Sequence, residues 1–559
     1  MIYACPAERI LLAMALLATS AGAQALSDRF FDEYYFPSNP STATYTGIHK
    51  YDGDLEDYSK AAIARDVATL KQFEAEFAKL PAEPDRDLVL GNIRASLLEL
   101  ETLRGWERNP DLYSSSITSS AFTIMSRAFA PPEVRLRSLI SRERKMPNVL
   151  AEARVNLKNP PRIYTEIAIE QLPGLVSFFE HDVPLAFQAV KDQKLLAEFK
   201  VSNGAVIAAL QDYEKFLKND LLARSNGDFR LGAEKFSKKL LYEEMVDLPL
   251  DRLLQIGFAD LRANQQKFRE TAAAIDPNRK PQEILADLEK EHPAADKLLD
   301  AYREITAQLR DYINAHKIAT IPSPILPIVE ETPPFMRALT FASMDTPGPY
   351  ETVAKEAYFN VTLPEKNWPS ERIEDFLRGN HRGTILSTAI HEAYPGHYVQ
   401  FLWLQQVPSR VRKLISANTF VEGWAHYCEQ MMLDEGYTND PRMRLGQLQD
   451  ALLRDARYIA GIQMHTGKMT FDQAVDFFVN EGFQTKETAT RETKRGTSDP
   501  TYLYYTLGKL QILKLREDYR KMRGSQFSLQ EFHDRLLSQG YPPLKIVRKA
   551  MLGDDSPTL

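Results

Sequence analysis

The segment His391-Glu392-Ala393-Tyr394-Pro395-Gly396-His397 constrains the local fold more than any other part of the chain. On a regular helix, residues four apart are offset by about 40° and share a face, whereas residues six apart are offset by about 240° and face apart. His391 and His397 therefore act together only if the helix breaks between them. Pro395 supplies the break, because it has no N–H for the carbonyl of His391 and its ring crowds that carbonyl. Gly396 then permits an unusual turn that swings His397 back. On this reading Pro-Gly is a two-residue insertion into an H-E-x-x-H arrangement that restores convergence of the two imidazoles. Two neutral metal ligands beside a carboxylate, Glu392, that is placed to act as a general base indicate zinc-hydrolase chemistry.

A catalytic zinc takes three protein ligands and keeps a position for water. Glu422 is the best third ligand. It stands in Thr419-Phe420-Val421-Glu422-Gly423-Trp424-Ala425-His426-Tyr427-Cys428-Glu429, where the i, i+4, i+7 spacing sets Glu422, His426 and Glu429 along one helical face. A carboxylate row inside an apolar helix needs a partner cation. His426 either replaces Glu422 as ligand or sits behind it with Glu429, and the spacing leaves both open.

With these two segments the chain resembles the family known as domain of unknown function 885, marked by H-E-x-x-P-G-H and E-G-W-A segments and with relatives among the gluzincin metallopeptidases. The resemblance extends from Pro40–Gly47 and Tyr51-Asp52 near the start to Phe527–His533 and Pro542-Pro543-Leu544 near the end. It implies one zinc ion held by His391, His397 and Glu422, with Glu392 as catalytic base. It also points to His465 and Tyr505, similar to the family's helical histidine and Y-x-x-G, as donors to the oxyanion of a tetrahedral intermediate. One departure from the family's pattern is Arg495-Gly496-Thr497-Ser498-Asp499-Pro500-Thr501, leading into that tyrosine.

Arg9, the apolar run Ile10 to Ala18 and the small residues Ala21-Gly22-Ala23 predict a signal peptide over residues 1–23, cleaved after Ala23. The apolar run is far short of the roughly 20 residues that span a bilayer. No integral membrane segment is expected in the mature chain, and its destination is periplasmic or secreted. Loss of Cys5 with the signal leaves Cys428 alone, which excludes an internal disulfide.

The expected fold is mainly α: a large, helical, bilobed metallopeptidase fold with a small β element before the zinc helix. Leu90, Ile93, Leu97, Leu100 and Leu103 form one apolar stripe, as do Leu254, Phe258 and Leu261. Nine of the 33 prolines fall between Pro322 and Pro369, around the β-prone stretch Tyr358 to Leu363. This divides the mature chain into an N-terminal helical region, 24–320, and a catalytic zinc-binding region, 321–559. A net charge of −7 without a basic stripe argues against nucleic acid as a partner. The reading is a periplasmic zinc metallopeptidase whose peptide substrate lies extended against residues 358–363, with Arg457 and Arg495 as candidates for a terminal carboxylate. Alternatives are a zinc amidase or esterase acting on a non-peptide substrate, and a non-catalytic zinc-stabilised binding protein.

Overall fold

The computed structural model describes residues 22–333, 337 and 341–559; most of the predicted signal segment, residues 1–21, lies outside them. The chain is mainly α-helical, and its strands form one small sheet. It divides into two compact units. The first runs to Gly227 and takes in Tyr350–Val353 and Ser409–Ile415, and the second holds the rest. The division thus falls at residue 227, not at 320.

In the first unit, helices α1 (Lys60–Ala78), α2 (Pro84–Leu97), α3 (Asp111–Met125), α4 (Pro132–Glu143) and α5 (Gln193–Phe216) pack in neighbouring pairs. Ser59 caps α1 by accepting the Ala62 N–H, and Asp192 caps α5 through the Lys194 and Leu195 N–H groups. The predicted leucine stripe changes period. Ile93, Leu98 and Leu103 are buried at five-residue spacing because a π-helical turn, Leu98–Leu103, follows α2. The family-like opening segment is structural: the buried Arg142 donates to Ser120 O at 2.7 Å and Thr44 Oγ1 at 2.7 Å, and Thr44 Oγ1 donates to Asp52 at 2.7 Å.

The second unit holds α6 (Leu250–Ile275), α7 (Leu298–His316), α8 (Ser370–Arg378), α9 (Arg382–Glu392), α10 (His397–Gln406), α11 (Asn418–Asp434), α12 (Pro441–His465), α13 (Lys486–Ser498) and α14 (Tyr504–Arg523). Leu254 and Leu261 of α6 are buried against Leu445, Leu452 and Ile459 of α12, which ties residues before 320 to this unit. The strands β1 (Ile328–Glu331), β2 (Ala342–Asp345) and β3 (Tyr358–Val361) form a sheet of order β1-β3-β2. β3 pairs parallel to β1 and antiparallel to β2. It is a central strand with Phe359 and Val361 fully buried, so both its edges are taken and no peptide can add to residues 358–361. The edge strand packed against α9 is β2.

Candidate metal centre

His381 caps α9 by accepting the Gly383 N–H, and the helix delivers His391 and Glu392 in its last turn. The Tyr394–Pro395 bond is cis, and the chain then folds back so that the Gly396 N–H reaches Ile390 O at 3.0 Å. Gly396 has φ −65°, so its role is close approach: a Cβ there would run into the carbonyl oxygens of Ile390 and His391. α10 starts at once with His397. The break therefore does what its sequence predicts, and the His391 and His397 rings lie 4.8 Å apart between centroids. Trp424 of α11, fully buried, donates its indole N–H to Pro395 O at 2.9 Å, which satisfies a carbonyl that the broken helix leaves without a partner.

α11 supplies Glu422. Its Oε2 lies 3.4 Å from His391 Nε2 and 3.5 Å from His397 Nε2, and the ligand atoms of all three residues lie within 4.8 Å of one another. Tetrahedral coordination with bonds of about 2.0–2.1 Å separates ligand atoms by about 3.3–3.4 Å; the two contacts of Glu422 match this, and the widest separation must close by a small side-chain adjustment for one divalent ion to be held. Glu422 Oε2 is buried without a hydrogen-bond partner, an orphan acceptor that a cation would satisfy. The charges agree. Burial opposes charge on His391, yet the carboxylates of Glu422 and Glu429 raise its pKa to about 10, so this pocket demands a positive charge.

Behind the cluster, Glu429 accepts from His391 Nδ1 at 2.7 Å, His426 Nδ1 at 3.2 Å and Arg454 Nη2 at 2.9 Å. This fixes the His391 tautomer and aims Nε2 at Glu422. Burial depresses His426 to about 3, so it is neutral; its Nδ1 is committed to Glu429 and it stands outside the three-residue cluster. Gln400 Oε1 lies 3.3 Å from His397 Nδ1 and does the same for the second histidine. Glu392 stands half-buried beside the cluster. Burial raises its carboxyl above the ordinary value against the pull of His391 and His397, and the backbone of Met344 in β2 also favours its charged form.

Tyr505 is brought here by a helix crossing. Gly423 of α11 and Gly508 of α14 meet face to face, with a Cβ at Gly508 falling 2.8 Å from Gly423 Cα and running into Thr419 O. Tyr505, one turn before Gly508, is buried beside Glu422; burial and that charge keep its hydroxyl protonated, so it remains a donor. Guanidinium groups of Arg454, Arg457 and Arg495 stand 5.6, 5.2 and 6.0 Å from its ring centroid. Arg457 is spent on Glu492 through contacts of 2.7 and 3.0 Å, while Arg495 shares Asp499 and the Tyr504 hydroxyl.

His465 is not brought to the cluster. It ends α12, eleven residues or about 16 Å beyond Arg454, with Nε2 on Gly496 O at 2.8 Å and its ring against Phe229 and Phe236. It is a buried core histidine, depressed by burial to about 4. The sequence argument also missed Arg454 and Gln400. The signal available for Arg454 was one charged side chain among Asp450, Asp455 and Arg457 on a helix, which says nothing about its partner.

Fold and site together define a mainly helical protein with a buried two-histidine, one-glutamate cluster beside a small sheet. The chain belongs to the family described as bacterial protein of unknown function (DUF885), which it matches over residues 40–551. It is similar to the solved structure of a candidate lipoprotein of unknown function from Shewanella oneidensis, with 27% identity and a TM-score of 0.79 over 94% of this chain and 99% of that one. A candidate lipoprotein from Colwellia psychrerythraea, 19% identical, shares the fold with a TM-score of 0.79 over 95% and 98% of the two chains. No curated protein matches the chain.

Proposed function

We propose that this chain is a zinc-dependent peptide hydrolase of the cell envelope. The observation that carries the reading is the convergence of His391, His397 and Glu422 beside a half-buried carboxylate, Glu392, on a helix packed against β2. A zinc ion held by those three side chains supplies Lewis acidity and acidifies water. Glu392 takes the proton from the attacking water and returns it to the leaving nitrogen. α9 packs against β2, which brings the Glu392 carboxylate to the strand edge where an extended peptide would lie. Tyr505 donates to the oxygen on which negative charge develops. A structural zinc site would close its coordination with a fourth ligand, and among the described residues no fourth His, Cys, Asp or Glu joins the cluster. Export is supported by the N-terminal apolar run, by the candidate-lipoprotein description of the Shewanella protein, and by the lack of any described helix long and apolar enough to cross a membrane.

Glu392→Gln tests the reading. Glutamine keeps the shape but cannot accept a proton, so hydrolysis of a mixed peptide library should fall about 10²–10⁴-fold with zinc content unchanged. Chelation of the unaltered protein should abolish the same cleavage. Near-normal turnover in fully metal-loaded Glu392→Gln would remove Glu392 from the mechanism.

A further inference from the structure

A row of partly open rings lies at the start of β2, apart from the metal ligands. The guanidinium of Arg372 stacks 3.9 Å over Trp368; Trp368 meets Phe376 at 5.8 Å, Phe376 meets Phe341 at 5.5 Å, and Arg491 of α13 stands 5.7 Å over Phe341. Phe341 is 49% exposed, and Trp368 and Phe376 are half-buried. Among the described residues neither Arg372 nor Arg491 forms an ion pair, so an aromatic surface is left open to water between two uncommitted cations. Leaving rings in water forfeits hydrophobic free energy, and a continuous patch of this kind marks a binding surface.

Its position says what it binds. Phe341 leads directly into β2, which packs against α9, the helix that ends in Glu392; three residues on, about 10 Å at the rise of a strand, the Met344 backbone favours the charged form of Glu392. A peptide added to the outer edge of β2 sets the residue opposite Phe341 on the same face, about 4.5–5.5 Å away. Aromatic side chains gain most there, by edge or offset packing against Phe341 and Phe376. Arg491, held over the ring, still has N–H donors to give to a carboxylate.

We propose that Phe341, Phe376 and Trp368, with Arg491, form a substrate subsite that selects an aromatic side chain with an acidic one two residues along, on the same face of the bound strand, about three residues from the bond cleaved. The proposal rests on the peptide-hydrolase reading. Its test uses zinc-loaded Glu392→Gln protein and fluorescein-labelled Ala/Gly nonapeptides in which one Phe-Ala-Asp triplet is stepped along the chain, with Ala-Ala-Asp, Phe-Ala-Lys and Ala-Ala-Lys triplets as comparison. Fluorescence anisotropy should give a Kd about tenfold lower for the best Phe-Ala-Asp register than for Ala-Ala-Lys in the same register. Adding Phe341→Ala should erase the Phe preference, and Arg491→Gln the Asp preference. In the catalytically intact protein Phe341→Ala should raise KM for that peptide with kcat unchanged. Equal binding of all registers, or a preference that survives both substitutions, overturns the subsite. If the preference holds while the unaltered protein cleaves none of these peptides, the subsite stands and the hydrolase reading falls. If cleavage occurs without preference, the reverse is true.

Discussion

Glu429 determines which nitrogen His391 presents. With Nδ1 held at 2.7 Å by a fully buried carboxylate, Nε2 is left to face Glu422. Burial alone would raise that carboxyl, but Arg454 and His426 hold it ionised and well below its ordinary value. This separates residues that donate a metal bond from residues that orient one. His391→Ala, His397→Ala and Glu422→Ala should each empty the site after dialysis, as measured by atomic emission, whereas His426→Ala and Glu429→Gln should weaken metal binding by about 10–100-fold. An empty His426→Ala protein beside a loaded Glu422→Ala one would reverse the assignment of the third ligand. Glu422 was legible in the sequence because a carboxylate at helical spacing inside an apolar run requires a partner. Arg454, 25 residues after Glu429, was not, because its role exists only once α12 lies against α9 and α11.

Two elements place the cluster: the break between α9 and α10, and the crossing of α11 over α14. The break itself was readable, since the ring of Pro395 and its missing N–H act within a few residues; the close approach of Gly396 to the carbonyls of Ile390 and His391 was not. The crossing was not. Gly423 and Gly508 each appear in a recognisable segment, but only packing shows that they touch and that the contact carries Tyr505 to Glu422. Gly508→Ala should drive the two helices apart, because its Cβ meets backbone rather than a movable side chain. Overpacking of this kind costs about 1–3 kcal/mol, and the metal should bind at least several-fold more weakly as Glu422 shifts. Gly204→Ala, in the exposed middle of α5 with nothing within 4 Å of the added carbon, is the control. It should be neutral or slightly stabilising. Calorimetry and metal titration of the two variants check this, and equal behaviour would show that the crossing tolerates a methyl group. β3 teaches the same lesson from the other side. Its composition predicted a strand correctly, but the pairing of both its edges is a long-range fact.

Over the whole molecule, hydrophobic periodicity revealed the helical class and concealed the division into units. An apolar stripe such as Leu254, Phe258 and Leu261 shows that a helix has a buried face but not which partner covers it, and here α12 covers it, so the division moved from 320 to 227. Stability against pH is also a property of the whole fold, and one group that shapes it is far from the metal ligands in sequence. Glu143, at the end of α4, is fully buried, with Oε2 accepting from Ser202 Oγ and Oε1 without a partner. Burial raises its pKa from 4.5 to about 8. Between those values the folded chain holds a proton that the unfolded chain has released, so this group's stabilising contribution is complete below the lower value and is lost as pH rises through the upper one. The slope from one such proton reaches at most about 1.4 kcal/mol per pH unit. Glu143→Gln removes the titration and keeps a group of the same shape. Urea unfolding followed by circular dichroism should therefore show the variant gaining on the unaltered protein steadily as pH is raised from 5 to 8, and the two curves running parallel at lower pH. Because all other titrating groups are common to both proteins, the difference between the curves isolates Glu143. Parallel curves across the whole range would mean that the carboxyl ionises in the folded state as readily as in water.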